Sequence, residues 1–427
     1  MRKSVTFRKS TGVVATLAIF ILLFTTCISR EKEKSRDTAN EPAAPSPMRA
    51  DFSKWVGSEK CATCHAKIFS DYSHTSHYLT SRPASEKTIR GSFAKGKNVY
   101  EYNPELFIKM EKRDSGLYQV VYYKGQEKIA IPFDITVGSG TKGQSFMYWH
   151  NTGLFQTPMT YYTIPGRWAN SPGFPSKVQY ERPITSRCME CHTTYADVIS
   201  PWPQTPEQFD RNKIIYGVGC EKCHGPAARH VDFFTSHPTE KGARYIINPK
   251  TLSRQQVMDL CALCHGGRKQ KTQPSFTFTA GDTLTDFFRD DPTNTALQQP
   301  GIADVHGNQA GVLMASQCYI RSKTMTCLTC HDSHKNERNE TAVFTGRCQT
   351  CHQEVHKAIP GASELSTVQL KNNCVTCHMP VSASRSIVLY TSGMESPKAA
   401  LFRTHYISVY PDVTRQFLQG IKKQSGR

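Results

Sequence analysis

The chain has 427 residues, a length that ordinarily gives two or three domains, yet only 38% of the residues are hydrophobic. This fraction is low for a core of that size built from side chains alone. The formal net charge of +18 would suit a nucleic-acid surface, but no motif of a nucleic-acid-binding fold accompanies it, so we expect no nucleic acid as a partner.

The N-terminal segment 1–26 has the pattern of an export signal. A basic start is followed by an apolar run at 13–24, which is shorter than the roughly 20 residues of a membrane span and is typical of a signal-peptide core. Cys27 comes just after it and resembles the lipidated cysteine of a bacterial lipoprotein. Cleavage without a lipid and an uncleaved anchor are the alternatives.

The next segment, 27–52, is charged and rich in proline and alanine, without periodic apolar positions. This composition predicts a flexible tether. We therefore expect an extracytoplasmic bacterial protein, periplasmic or associated with the outer membrane, held to a membrane by its N-terminal lipid or anchor.

A five-residue pattern, Cys-x-x-Cys-His, occurs seven times from residue 61 onward. It is the attachment signature of c-type haem, in which two thiols add to the porphyrin vinyl groups and the histidine binds the iron. The cysteine pairs are Cys61 and Cys64, Cys188 and Cys191, Cys220 and Cys223, Cys261 and Cys264, Cys327 and Cys330, Cys348 and Cys351, and Cys374 and Cys377. The expected proximal iron ligands are His65, His192, His224, His265, His331, His352 and His378.

These motifs predict seven covalently bound haem c groups as cofactors. Zinc is the alternative for paired Cys-x-x-Cys units, but zinc sites use ligands in fours, whereas each unit here ends in histidine. Porphyrins would add the apolar surface that the side chains lack. Their propionates would also offset much of the basic charge. Haem attachment of this kind takes place outside the cytoplasm, in agreement with the export signal.

The longest interval between motifs separates Cys61 from Cys188. Within it, β-branched and aromatic stretches at 100–123 and 129–137 are separated by turn signals such as Lys124-Gly125. We predict a first-haem region at 53–185 with an antiparallel, β-rich insertion at about 95–165. Whether the insertion covers a haem face or forms a partner or substrate surface is left open.

From Cys188 onward the motifs follow at intervals of 21 to 66 residues, which mostly leaves room for one short helix and a loop per haem. Helical patterns lie at 255–261 and 412–422. We therefore predict a six-haem region at 186–427. The fold class expected for the whole chain is mainly α with much irregular loop, packed around haems, apart from the β-rich insertion.

Nine histidines lie outside the motifs, which is enough to give each of seven irons a second imidazole. Histidine on both faces makes a haem low-spin and low in potential, so that it passes electrons and has no vacant site for a substrate. His334 is the foremost distal candidate because Cys-His-x-x-His places a second imidazole beside one haem and directs it at a neighbour. The choice between His74 and His77 is open. The nine candidates are His334, His405, His230, His356, His74, His77, His306, His150 and His237.

Three segments resemble the multihaem cytochrome c-552/4 family: GVGCEKCHGP at Gly217–Pro226, CLTCHDSH at Cys327–His334 and CVTCHMP at Cys374–Pro380. That family is related in haem packing to carriers of hydroxylamine oxidation and to multihaem nitrite reductases. The resemblance covers most of residues 55–410. It implies stacked haems and respiratory electron transfer, by either a carrier or an enzyme.

We predict an electron carrier rather than a catalytic oxidoreductase, with other cytochromes or a quinol-linked membrane complex as redox partners. One alternative is an enzyme acting on a small nitrogen or sulfur compound at a five-coordinate haem. Tyr319 and Arg321 are its candidate catalytic residues, although packing of Tyr319 on a porphyrin and pairing of Arg321 with a propionate is the favoured explanation. The other alternative is a subunit of a conducting haem filament. Cys318, outside the motifs, would either pair between chains or be buried.

Overall fold

The computed structural model describes most of the chain from residue 50 onward. The described residues are 50–172, 178–200, 206–291, 307–353, 372–390, 392 and 397–425. The expected signal segment, the lipidation candidate Cys27 and nearly all of the tether lie outside them, as do His306 and His356. Among the helices in these ranges, none is both long and apolar enough to cross a membrane.

Of the described residues, 30% are helical and 28% lie in strands. The prediction of a mainly α fold is therefore wrong, and the fold is mixed. The helices are α1 Ser58–Ala62, α2 Ala66–Tyr72, α3 Ser186–His192, α4 Cys220–His224, α5 Ala228–Ser236, α6 Arg254–His265, α7 Gln309–Met314, α8 Gln317–Arg321, α9 Thr341–Gln349, α10 Cys374–His378 and α11 Pro411–Ser425. Short 3₁₀ turns lie at Phe52–Lys54, Tyr78–Thr80, Pro249–Thr251, Leu284–Asp286 and Cys327–Thr329.

Antiparallel strands occur along the whole described chain. They are β1 Ser81–Pro83, β2 Val99–Asn103, β3 Leu106–Arg113, β4 Gly116–Tyr123, β5 Gln126–Pro132, β6 Ile135–Val137, β7 Gly143–His150, β8 Gly153–Gln156, β9 Met159–Tyr162, β10 Arg167–Asn170, β11 Arg182–Pro183, β12 Thr193–Val198, β13 Phe209–Tyr216, β14 Lys269–Lys271, β15 Phe288–Asp290, β16 Val381–Leu389 and β17 Lys398–Arg403. The strand content is high because two pairs, β12–β13 and β14–β15, lie between haem motifs that were expected to be joined by helices and loops, and a third pair, β16–β17, follows the last motif.

The first strands form two sheets that share a core. Strands β2 to β5 are a four-stranded meander, and β1-β6-β7-β8-β11 is the main path of a seven-stranded sheet that also includes β9 and β10. In β3, Ile108 and Met110 are fully buried while the residues beside them are more exposed, which is the two-residue period of a strand. Buried Gln119 exchanges hydrogen bonds with the backbone of Met159 at 2.9 and 3.0 Å, so it fastens β4 to β9.

The seven-stranded sheet also packs against the second haem motif. Met147 and Leu154 of the sheet share a buried cluster with Met189 of α3 and with Tyr195 of β12. The strands between the first two motifs are therefore continuous with the packing around the second motif, rather than a separate unit set apart from it.

Helix α6 shows how local sequence sets a helix start. Ser253 and Gln256 form a capping box: the Gln256 N–H donates to the Ser253 hydroxyl, and the Gln256 side chain accepts from the Ser253 N–H. This arrangement satisfies two backbone donors at the helix start. The helix then continues to His265, so that the fourth haem motif forms its last turn.

Candidate haem sites

Each haem motif closes one helical turn. The His65 N–H donates to the Cys61 carbonyl at 2.9 Å, and the His331 N–H donates to the Cys327 carbonyl at 3.0 Å. Residues three apart on such a turn lie on the same face, with Cβ atoms about 5–6 Å apart. The two cysteines of a motif therefore present their sulfurs side by side, as attachment to one porphyrin edge requires. None of the fifteen cysteines that the structure describes forms a disulfide.

Four motif histidines face a second imidazole across a gap of nearly constant width. Elsewhere in the described ranges, His, Cys, Asp and Glu do not gather in groups of three or more that could hold a metal ion. The ring centroids are separated by 6.5 Å for His65 and His230, 6.0 Å for His224 and His334, 6.0 Å for His265 and His77, and 6.0 Å for His331 and His405. The rings are within 19° to 25° of parallel in three pairs and inclined by 66° in the His265–His77 pair.

This separation fits two imidazoles bound to opposite faces of one iron. An imidazole nitrogen binds a transition metal at about 2.0 Å, so two such bonds and the two half-rings together span about 6 Å. Stacked rings in direct contact would be much closer. The residues present therefore fit a haem iron at each of the four positions.

Hydrogen bonds at Nδ1 orient several of these rings. Nδ1 of His224 lies 2.8 Å from the Ile247 carbonyl, and Nδ1 of His230 lies 2.8 Å from the Arg244 carbonyl. Because a carbonyl only accepts, Nδ1 must carry the proton, and Nε2 keeps its lone pair for a metal. His378 follows the same pattern.

Loss of hydration favours the neutral form of several of the paired imidazoles. It lowers the pKa of His405 to about 4, and together with nearby His77 it lowers the pKa of His265 to about 4. Burial also lowers the pKa of His77 and of His224. A histidine must be unprotonated to bind a metal, so these four rings are suited to ligation at neutral pH.

The segment after the fifth motif lies between two of these sites. His331 faces His405, whereas His334, three residues later, faces His224 of the third motif. Of the two neighbouring candidates after the first motif, His77 faces His265, whereas Nδ1 of exposed His74 contacts the Ser70 carbonyl in the preceding helix.

The other candidates lie elsewhere in the structure. Within the described ranges, the ring contacts of His150 and His237 are with Phe155 and Phe233 rather than with a motif histidine. Nδ1 of His192 lies 3.1 Å from the Thr80 hydroxyl.

The two candidate catalytic residues do not converge on one site. Tyr319 is buried, and the Arg254 guanidinium lies 3.8 Å from the centre of its ring. Arg321 is exposed at the end of α8. Cys318, beside them, is half-buried, and burial raises the pKa of its thiol.

Thiols of different motifs meet in pairs. Nearby Cys220 raises the pKa of the Cys61 thiol, and nearby Cys191 raises that of the Cys264 thiol. Nearby Cys327 raises the pKa of the Cys261 thiol in the same way. In the haem-loaded protein each of these atoms would be a thioether sulfur on a porphyrin edge. The first motif thus lies against the third, and the fourth motif lies against both the second and the fifth.

The sequence reasoning missed charged residues inside the motifs. Glu221, between the two cysteines of the third motif, is 1% exposed. Its carboxylate accepts N–H groups of Val56, Gly57 and Ala227 at 2.8 to 3.0 Å, which ties α4 to the segment before α1. The sequence signal that could have found Glu221 is an acidic residue between the two cysteines of a motif. Glu190 in the second motif is a second residue of this kind.

Comparison with known proteins agrees with this chemistry. The family model described as cytochrome c554 and c-prime matches residues 170–225, which contain the second and third motifs. No curated protein matches the chain. A solved structure titled "Crystal Structure of Outer Cell Wall Cytochrome OcwA" aligns with a TM-score of 0.45 and 18% identity, covering 85% of this chain and 81% of that chain. The match to the family model supports a c-type cytochrome with covalently bound haem, whose chemistry is electron transfer.

Proposed function

We propose that the protein is an electron-transfer cytochrome that carries seven haem c groups, most of them ligated by two histidines. The observation that carries this proposal is the set of four imidazole pairs at 6.0–6.5 Å, each joining a motif histidine to a histidine outside the motifs. When bound, haem supplies one-electron chemistry between ferric and ferrous iron.

The protein's own contribution is to occupy both faces of the iron. In the proposed sites the motif histidine and the distal histidine would both bind the iron, which would leave no coordination position for a substrate. Backbone carbonyls hold rings such as His224 and His230 at Nδ1. Rings held in this way need little rearrangement when the iron changes its oxidation state, which favours rapid electron transfer.

Contacts between motifs support transfer from haem to haem. Cys61 meets Cys220 and Cys191 meets Cys264, so the attached porphyrin edges would lie side by side. Motif six lies near motif seven: the Thr345 hydroxyl of α9 donates to the Asn372 carbonyl at 3.4 Å. His334, just after motif five, faces His224 of motif three, and Arg347, just before motif six, donates to the Cys330 carbonyl of motif five at 2.7 Å. In the proposed protein these neighbours form one connected path.

The cellular setting is part of the same proposal. An export-type segment and a lipoprotein-like Cys27 support an extracytoplasmic, membrane-tethered protein in a bacterial respiratory chain. Its redox partners would be other cytochromes or a quinol-linked membrane complex. Lipidation is tested by the mass of the mature N-terminal peptide, which would carry acyl chains on Cys27.

Haem stoichiometry and spin state test the central claim. Protein produced in a host that attaches haem c is analysed by intact mass, by the pyridine haemochrome assay and by electron paramagnetic resonance. We expect seven haems per chain and mostly low-spin ferric signals. Fewer than seven haems would contradict the stoichiometry. A mainly high-spin spectrum that changes on adding nitrite or hydroxylamine would contradict the role as a carrier.

A pair of neighbouring variants tests the ligand assignment. His77→Ala should convert one haem, the one bound to His265, from low-spin to high-spin, since its distal imidazole is lost. His74→Ala is the matched control, because that ring lies exposed against Ser70. High-spin haem in the His74→Ala protein instead of the His77→Ala protein would reverse the assignment.

A further inference from the structure

A partly buried arginine lies between the second and fourth haem motifs. Nη1 of Arg187 donates to the sulfur of Cys191 at 3.0 Å, and Nη2 donates to the Leu263 carbonyl at 2.5 Å. Leu263 belongs to the last turn of α6, which carries the fourth motif, and its carbonyl also lies 3.9 Å from the sulfur of Cys191. The guanidinium therefore contacts both motifs where their attachment sulfurs meet.

The surroundings hold this guanidinium in one place. Its side chain is 22% exposed, and Nη1 lies 3.2 Å from the carboxylate of Glu190, which is 1% exposed. The other oxygen of Glu190 accepts the Phe276 N–H at 2.8 Å. The ring of Phe288 lies 4.9 Å from the guanidinium carbon. Arginine stays protonated in proteins, so a positive charge is permanently present beside Cys191.

We propose that Arg187 raises the reduction potential of the haem attached at Cys191. The inference rests on the proposed function, since it requires haem on the second motif. Reduction adds one electron to the iron, so a nearby positive charge stabilises the reduced form. Glu190 opposes this effect, but the guanidinium touches the sulfur directly whereas the carboxylate binds the guanidinium and the Phe276 backbone.

The contact between the first and third motifs is built differently. There the buried residue is Glu221, whose carboxylate accepts three backbone N–H groups. No arginine is bonded to that carboxylate within the described part of the chain. The second motif therefore has an arginine against its attachment sulfur, paired with one carboxylate, whereas the carboxylate of the third motif has no such partner.

Redox titration of the holoprotein tests the inference. Haem content and mass are measured first, so that loss of haem, which would concern the proposed function, is separated from a change in potential. In Arg187→Gln, we expect one of the seven components to move to lower potential. At a fixed applied potential, the ratio of reduced to oxidised haem in that component should fall about tenfold. This is the effect expected from removing one unit charge in a partly buried site. Arg187→Lys should keep most of the wild-type value, because it keeps the charge.

Two further variants serve as controls. Arg113 also binds two carboxylates, Glu111 and Glu127, each at 2.8 Å, but lies in the sheet on β3. Arg113→Gln should leave all seven components unchanged. Glu190→Gln removes the opposing charge and should move the same component upward, which keeps the test informative if Arg187→Gln does not fold. The inference is overturned if no component shifts in the Glu190→Gln and Arg187→Gln proteins. It is also overturned if Arg187→Gln and Arg187→Lys shift the component equally.

Discussion

Replacement of His334 by alanine is the most informative single change at the candidate sites. The His334 ring lies 6.0 Å from the ring of His224, the motif histidine of the third site. In the proposed protein it is the distal ligand there. Its loss would leave that iron with one protein ligand, and one haem of seven should become high-spin.

The structure also predicts that this change leaves the fold nearly intact. The side chain of His334 is 47% exposed, and its one acidic neighbour, Asp332, is 3.9 Å from Nδ1. It also packs edge-on against Tyr72, with ring centroids 6.1 Å apart. Substitutions at exposed positions usually change stability by about 0.5 kcal/mol, so we expect a stability cost of that order. A spectroscopic change would therefore report ligand loss rather than unfolding.

The assay is electron paramagnetic resonance of the oxidised holoprotein, with thermal unfolding measured in parallel. One seventh of the ferric haem should move from low-spin to high-spin signals. His237→Ala is the matched control, because that exposed ring stacks on Phe233 at 4.5 Å. The reasoning is refuted if His334→Ala retains the wild-type low-spin intensity, or if His237→Ala loses the same amount.

Two further predictions concern stability. Gly217→Ala should destabilise the turn before the third motif by about 2 kcal/mol or more, because φ is +70° and an added Cβ would collide with the Tyr78 carbonyl. Gly125→Ala, with φ of +73° and open space around it, should cost about 1 kcal/mol; equal denaturation midpoints for the two variants would contradict this. The hydrogen bond from Arg347 lowers the pKa of Glu337, so the pair contributes stability above the unfolded-state value of about 4.3, and this stability is lost as the pH falls through the lower folded-state pKa. Glu337→Gln should therefore be less stable than wild type at pH 7 but nearly equal to it in strong acid, whereas a pH-independent difference in unfolding would contradict the role of this charge.

Local sequence predicted some elements well because their causes are local. The helical pattern at 255–261 corresponds to α6, which begins with a capping box from Ser253 and Gln256. The pattern at 412–422 corresponds to α11. Strands also occur between the first two motifs, where the sequence contains alternating residues and turn signals. In that region Lys124 and Gly125 both have positive φ, as a tight hairpin turn requires.

The fold class was wrong for a physical reason. A haem motif needs only one helical turn, so the presence of many motifs does not require much helix. Residues between or after the motifs instead pair as strands, as in β12–β13 and β16–β17, both of which contain register shifts. Irregular strands lack the clean alternation by which a sequence reveals them, and strand propensity depends on the packing around the strand.

The sequence by itself determined the covalent chemistry, because attachment uses residues within a single turn and their spacing is visible in the chain. Only the tertiary structure decided which imidazoles face each other. His230 faces His65 and His405 faces His331, although the two residues of each pair are far apart in the sequence. It also decided that Arg187 lies against Cys191 and Leu263 together. Such contacts join separate segments, and their geometry depends on how those segments pack rather than on any local pattern.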